Sequence, residues 1–276
     1  MNKKTLWFAA LQALMETDAD KKIAKVQQLS NDWQQGRLNN AVNLHPIDLV
    51  EPARPEKPIL VAGNHLSGRN INSEIGKAAL VHAVVHIEFT AINLALDALY
   101  RFTDMPTLYY EQWIKVALDE TKHFQLLVAR LAELNHVYGD FPAHPALWDM
   151  AKQTRHDVLH RMAIVPKVLE ARGLDVTPAM IQRFQNIKDQ RTVDILKVIL
   201  AEEIPHVAYG NQWFDYCCQQ RKLDSQQTWF ELLAKYLQKG IYCPVNIPAR
   251  LAAGFAENDL QRLQQICTIG RQKKVK

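Results

Sequence analysis

From Ser73 onward the apolar residues recur at intervals of three and four, the period of an α-helix that buries one face. The pattern predicts four long helices, over about 73–102, 107–136, 146–172 and 191–220. Ser73 or Asn72 caps the first, and Thr103-Asp104-Met105-Pro106 is the turn behind it. Tyr138 to Pro145 breaks the pattern over a length able to cross from one end of a bundle to the other. Gly173 reads as the cap that stops the third helix, and Asp175-Val176-Thr177-Pro178 as the start of a short one. Ahead of the long helices, residues 3–35 form two short helices, with Asp18 or Asp20 capping the second and Gly36 ending it. Residues 41–70 carry Pro46, Pro52, Pro55 and Pro58 with weak periodicity, which predicts an extended arm wrapped on the domain. Beyond the last long helix come a helix over about 225–238, a loop with Cys243-Pro244, and a helix over about 258–267. The expected organisation is an N-terminal arm (1–70), a four-helix bundle (71–222) and a C-terminal helical extension (223–276).

Composition supports helices over strands, because only 10 Gly and 12 Pro punctuate 276 residues. No uninterrupted apolar run is long enough to span a bilayer. Lys3-Lys4 followed by Leu6–Met15 resembles a signal peptide superficially, but Gln12 and Glu16 interrupt it and no small-x-small cleavage site follows, so it reads as an amphipathic helix. Four cysteines (Cys217, Cys218, Cys243, Cys267) form no C-x-x-C pair, which predicts neither a zinc cluster nor a disulfide framework and suits a reducing cytoplasm. The net charge of +4 is too mild to indicate nucleic acid, and the basic residues of the tail read as a solvated terminus.

The chemistry lies in two copies of Glu-x-x-His, Glu120-Thr121-Lys122-His123 and Glu203-Ile204-Pro205-His206. Residues three apart share one helix face, so a carboxylate and an imidazole can reach the same ion. Each pair sits in an apolar stripe: Trp113, Val116, Ala117, Phe124 and Leu127 around Glu120, and Leu196, Ile199, Leu200 and Val207 around Glu203. Glu88 stands in a third stripe, among Val81, Val85, Ala91, Ile92 and Ala95. An isolated buried carboxylate costs several kcal/mol unless it is paired or metal-bound. The midpoint between Glu88 and Glu120 is Asp104, inside the predicted turn, so an antiparallel hairpin brings the two glutamates level. Glu170, ahead of Glu203, repeats the order of a lone Glu followed by Glu-x-x-His, although Lys167 shares its face. A third match, Glu133-Leu134-Asn135-His136, points about 140° away from Glu120 at 100° per residue and is taken as accidental. A lone Glu from each of two helices and Glu-x-x-His from two others is the dimetal-carboxylate pattern of ferritin-like bundles. The expected ligands are Glu88, Glu120, His123, Glu170, Glu203 and His206, with Glu202 beside them as a hydrogen-bonding neighbour. Oxygen and imidazole donors without thiolate suit two iron or manganese ions. Pro205 denies Ala201 a hydrogen bond, which predicts a kink or π-bulge there.

The stretches around His86-Ile87-Glu88, Asp119-Glu120-Thr121-Lys122-His123-Phe124, Tyr138-Gly139-Asp140-Phe141-Pro142, Leu169 to Pro178 and His206 to Asn211 resemble the bacterial ferritin-like family called domain of unknown function four-five-five. The resemblance implies the ferritin-like fold and the same six ligands, and it implies no reaction.

Three readings follow. The first is an oxygen- or peroxide-activating dimetal oxidoreductase acting on an unidentified small molecule, with a redox partner and a homodimer as open expectations. The second is an iron-handling ferroxidase or storage protein, and the third a non-catalytic binding protein on the same scaffold. His82 and His86 read as hydrogen-bonded packing residues, His156 and His160 as a solvated or ion-paired face, and Tyr109 and Trp113 as core.

Overall fold

The computed structural model describes residues 4–40, 48–66, 70–238 and 240–272, with side chains also undescribed at 4, 64 and 268–272. The described chain is all-α apart from two paired two-residue strands, β1 (Lys4–Thr5) and β2 (Leu38–Asn39). It divides into two compact units, residues 1–152 and 153–276.

In the first unit, α1 (Leu6–Leu14) and α2 (Ala19–Gln34) precede two long helices, α3 (Glu74–Arg101) and α4 (Thr107–Glu133). Asp18 caps α2 by accepting from the Lys21 amide, and Ser73 caps α3 by accepting from the Gly76 amide, as expected. The turn at 102–106 folds α4 back along α3. Tyr110 fixes it, donating its hydroxyl to the carbonyls of Phe102 and Thr103. Lys22 ties α1, α2 and α3 together. Its fully buried ammonium donates to the carbonyls of Ala13 (3.0 Å) and Leu14 (2.9 Å), at the electronegative end of α1, and to Asn93 Oδ1 (2.8 Å) on α3. Residues 48–66 form the irregular arm that was expected; residues 41–47 and 67–69 of that stretch lie outside the described ones. The arm is held by Arg101 on Asp48, by the Trp148 indole on the Val50 carbonyl, and by a bridge between Leu60 and Ala143. The unit closes with α5 (Ala146–Gln153).

In the second unit, α6 (Val158–Ile164) runs without a break through a π-helical segment (Val165–Glu170) into α7 (Ala171–Asn186). The expected third helix is corrected twice here. It is interrupted between α5 and α6, where Asp157 caps α6, and it passes through Gly173 and Pro178 rather than stopping. The π-turn also falls elsewhere than expected. α8 (Gln190–Gln220) is α-helical through Pro205, while the wide turn surrounds Pro166. Pro166 itself packs on Gly210 of α8, where no Cβ would fit.

The unit is completed by α9 (Ser225–Tyr236), α10 (Ile247–Ala252) and α11 (Glu257–Gln272). Arg250 of α10 grips Asp175 of α7 with two bonds, Nε to Oδ1 (3.0 Å) and Nη2 to Oδ2 (2.7 Å). A disulfide joins Cys243 to Cys267, where the sequence led to no expectation of disulfides; Cys217 and Cys218 are buried free thiols. Among the described residues one helix, α3, is long and apolar enough to cross a membrane, and 78% of its apolar window is buried in the protein.

Candidate metal centre

Glu88 lies mid-way along α3, and Glu120 and His123 lie on one face of α4. All three side chains are buried. The hairpin turn brings them level: His123 Nδ1 is 3.3 Å from Glu88 Oε2 and 3.4 Å from Glu120 Oε2. One donor atom from each lies within 4.8 Å of the others, close enough for a single cation to gather.

Electrostatics make the cluster want a cation. Burial, reinforced by the nearby Glu120 charge, holds the Glu88 carboxyl well above the ordinary range, with His123 pulling the other way. Burial opposes charge on His123, but the two carboxylates outweigh it and raise that imidazole to about 11. Without a metal, protons therefore supply the positive charge. Two carboxylates and an imidazole, with no thiolate, form a donor set that could hold a divalent metal ion.

Aromatic side chains pack between α3, α4 and the loop after α4. The rings of Phe89 and Phe124, neighbours of Glu88 and His123 in sequence, stand 5.6 Å apart, and Tyr138 packs on both at 5.6 and 5.4 Å. The Tyr138 hydroxyl pairs with His86 Nδ1 at 2.9 Å, and His82 Nε2 accepts the Gly139 amide at 2.9 Å. Both histidines are thus hydrogen-bonded packing residues, as the sequence suggested. The role of Tyr138 was missed, because it sits in a loop with no periodic signal.

The second unit carries the other expected ligands. Glu203 and His206 share one face of α8, with Oε1 and Nδ1 3.7 Å apart. Gly210, one turn past His206, lies on that same face by helical period and packs on Pro166. The face therefore runs along the π segment, whose last residue is Glu170. Lys167, expected near Glu170, instead pairs with Asp259 (3.8 Å) and sits among aromatic rings. Glu202 is part-buried beside Glu203. Glu133 pairs with Arg130 at 2.8 Å near the end of α4. His156 and His160 bond each other at 3.0 Å, and His160 bonds Tyr236 at 2.7 Å, so that pair is a hydrogen-bonded cluster.

The comparisons agree with the sequence resemblance. The family described as "Protein of unknown function (DUF455)" matches residues 15–261. An "Uncharacterized protein" of Haemophilus influenzae (strain ATCC 51907 / DSM 11121 / KW20 / Rd) is 43% identical over 240 residues, covering 83% of this chain and 82% of its own. No solved structure matches the chain. With nearly its whole length matched, this chain, with its buried glutamate–histidine cluster, belongs to the DUF455 family of proteins of unknown function.

Proposed function

We propose that the protein is a ferritin-like dimetal-carboxylate oxidoreductase, in which Glu88, Glu120, His123, Glu170, Glu203 and His206 together hold two iron or manganese ions. The observation that carries this reading is the trio of Glu88, Glu120 and His123, three ligand-type side chains buried together. On this reading Glu203 joins them, and Glu170 and His206 complete the set, within the bundle expected over residues 71–222. The four carboxylates neutralise two divalent ions, which offsets the burial and the Glu120 repulsion that otherwise raise Glu88. His123 releases its proton when it becomes a ligand. Burial of Glu88, Glu120 and His123 keeps bulk water away from the donors. Bound there, the ions would supply the redox chemistry that activates dioxygen or peroxide toward a small organic substrate. A reducing cytoplasm is part of the proposal, and there the Cys243–Cys267 bond would be held open as two thiols.

Anaerobic loading with Fe(II), followed by air, tests the activity. The proposal expects oxygen uptake matched to about two Fe(II) per chain, from a particle of low oligomeric order. Continued uptake with far more iron per chain, in a large assembly, would establish iron storage instead. No uptake with iron or manganese bound would leave a binding protein.

A further inference from the structure

The second unit holds a half-open pocket of about 230 Å³ whose lining carries charged side chains of both signs. Lys167 of the π segment lines it and is 3% exposed. Its ammonium is caged by three rings, with Nζ 4.3 Å from the Trp229 centroid, 4.8 Å from Phe255 and 5.3 Å from Phe214. Asp259 is its ion-pair partner at 3.8 Å, beyond hydrogen-bond range, and no hydrogen bond from Nζ to a described residue is present. An ammonium has three donors, and rings satisfy its charge without accepting those hydrogen bonds in full. Lys167 lines the pocket, so a ligand held there meets an ammonium that its aspartate does not hydrogen-bond.

Beside Lys167 the lining is acidic. Asp259 already accepts from Gln226 Nε2 at 2.9 Å through Oδ1, so its other oxygen faces Lys167. Asp215 lines the same space, and burial raises its carboxyl while Lys167 lowers it. Ser225 and Asn258 add a hydroxyl and an amide. These two residues come from the first turns of α9 and α11, helices of 12 and 16 residues whose positive ends meet the cavity. The site thus offers an ammonium and helix N-termini to an anionic group, and carboxylates to a cationic one. Its volume of about 230 Å³ admits a small molecule.

We propose that this cavity binds a small zwitterion of the free amino-acid class, its carboxylate on Lys167 and its ammonium between Asp215 and Asp259. A simple carboxylate meets the aspartates with nothing to offer them, and a simple amine meets Lys167 in the same way. Only a ligand that carries both charges satisfies both, which is specificity by mismatch as much as by match.

The test is a thermal-shift screen of the full chain with each of the twenty standard amino acids, with propionate and ethylamine as half-ligands, followed by calorimetry on any hit. Lys167→Met is the principal variant, because an unbranched apolar side chain fills the same ring cage. Asp215→Asn is the second, on the exposed side of the cavity. At least one amino acid should raise the melting temperature of the parent, and neither half-ligand should. Its Kd should rise on the order of tenfold or more in each variant, about what loss of one charge-assisted contact gives. If none of the twenty shifts the parent, the proposal is overturned. It is equally overturned if propionate or ethylamine matches the amino acid, or if affinity survives in Asp215→Asn and in any folded Lys167→Met protein.

Discussion

Gly210 and Gly173 make a paired test of how the second unit packs. Both are glycines inside helices, and each would ordinarily gain about 0.5–1 kcal/mol from replacement by alanine, since alanine loses less backbone entropy on folding. At Gly173 of α7 an added Cβ meets nothing within 4 Å, so that gain should appear in full. At Gly210 of α8 the new Cβ would lie 2.4 Å from Pro166 Cβ and 2.7 Å from its Cγ. Ordinary carbon contacts are near 3.5 Å, so α8 and the π segment must separate by about 1 Å. The proline ring is rigid and cannot swing aside. Overpacking of this kind costs about 1–3 kcal/mol, which outweighs the entropy gain and leaves a net loss near 1–2 kcal/mol. Thermal unfolding should show Gly210→Ala lower than the parent by roughly 3–6 °C and Gly173→Ala higher by a few degrees. The separation also acts on the face of α8 that bears Glu203 and His206, so metal affinity should fall in Gly210→Ala alone. If both variants move stability in the same direction, the close approach of Pro166 to α8 is wrong.

Three further outcomes follow from buried polar groups. Burial pushes Lys22 down to about 7 in the folded protein, below its unfolded value of 10.5, so the unfolded chain binds more protons between those values and stability should rise with pH across that window. Urea midpoints from pH 6.5 to 9.5 should show this slope flattened in Lys22→Met, and equal slopes would contradict it. Asp175→Ala strips Arg250, 4% exposed, of its bidentate partner and should cost about 3–5 kcal/mol in denaturant unfolding. Reduction of Cys243–Cys267, which lie 24 residues apart, should destabilise the second unit by about 3 kcal/mol on the chain-entropy argument, read as a lower melting temperature in dithiothreitol.

The sequence exposed most where a single physical signal was strong. Glu88 interrupts a continuous apolar stripe, and its distance from Glu120 is centred on the turn, so the level pairing of those carboxylates could be read before any coordinates. The helix α8 was legible for the same reason, and so were the caps Asp18 and Ser73. The third long helix was misread because local breakers were overruled by packing. Gly173 and Pro178 lie in a helix whose other face is held by Arg250 on Asp175, a contact 75 residues away that no window of sequence can show. Pro166 and Pro205 looked alike as interruptions, yet the wide turn formed at Pro166, where Gly210 supplies space for the ring. The Lys167 cage escaped notice because its rings come from α8, α9 and the segment before α11. The cysteine spacing was a poor guide, since Cys243 and Cys267 are joined by the fold and not by a motif.

The central claim is that the buried glutamates and histidines exist to hold metal. Elemental analysis of protein purified without chelator and then loaded anaerobically with iron, beside a Glu120→Ala, Glu203→Ala double variant, tests it most directly. The account predicts about two iron or manganese ions per parent chain and their loss from a variant that remains helical by circular dichroism. Parent protein that takes up neither metal, or a variant that keeps the full complement, would contradict it.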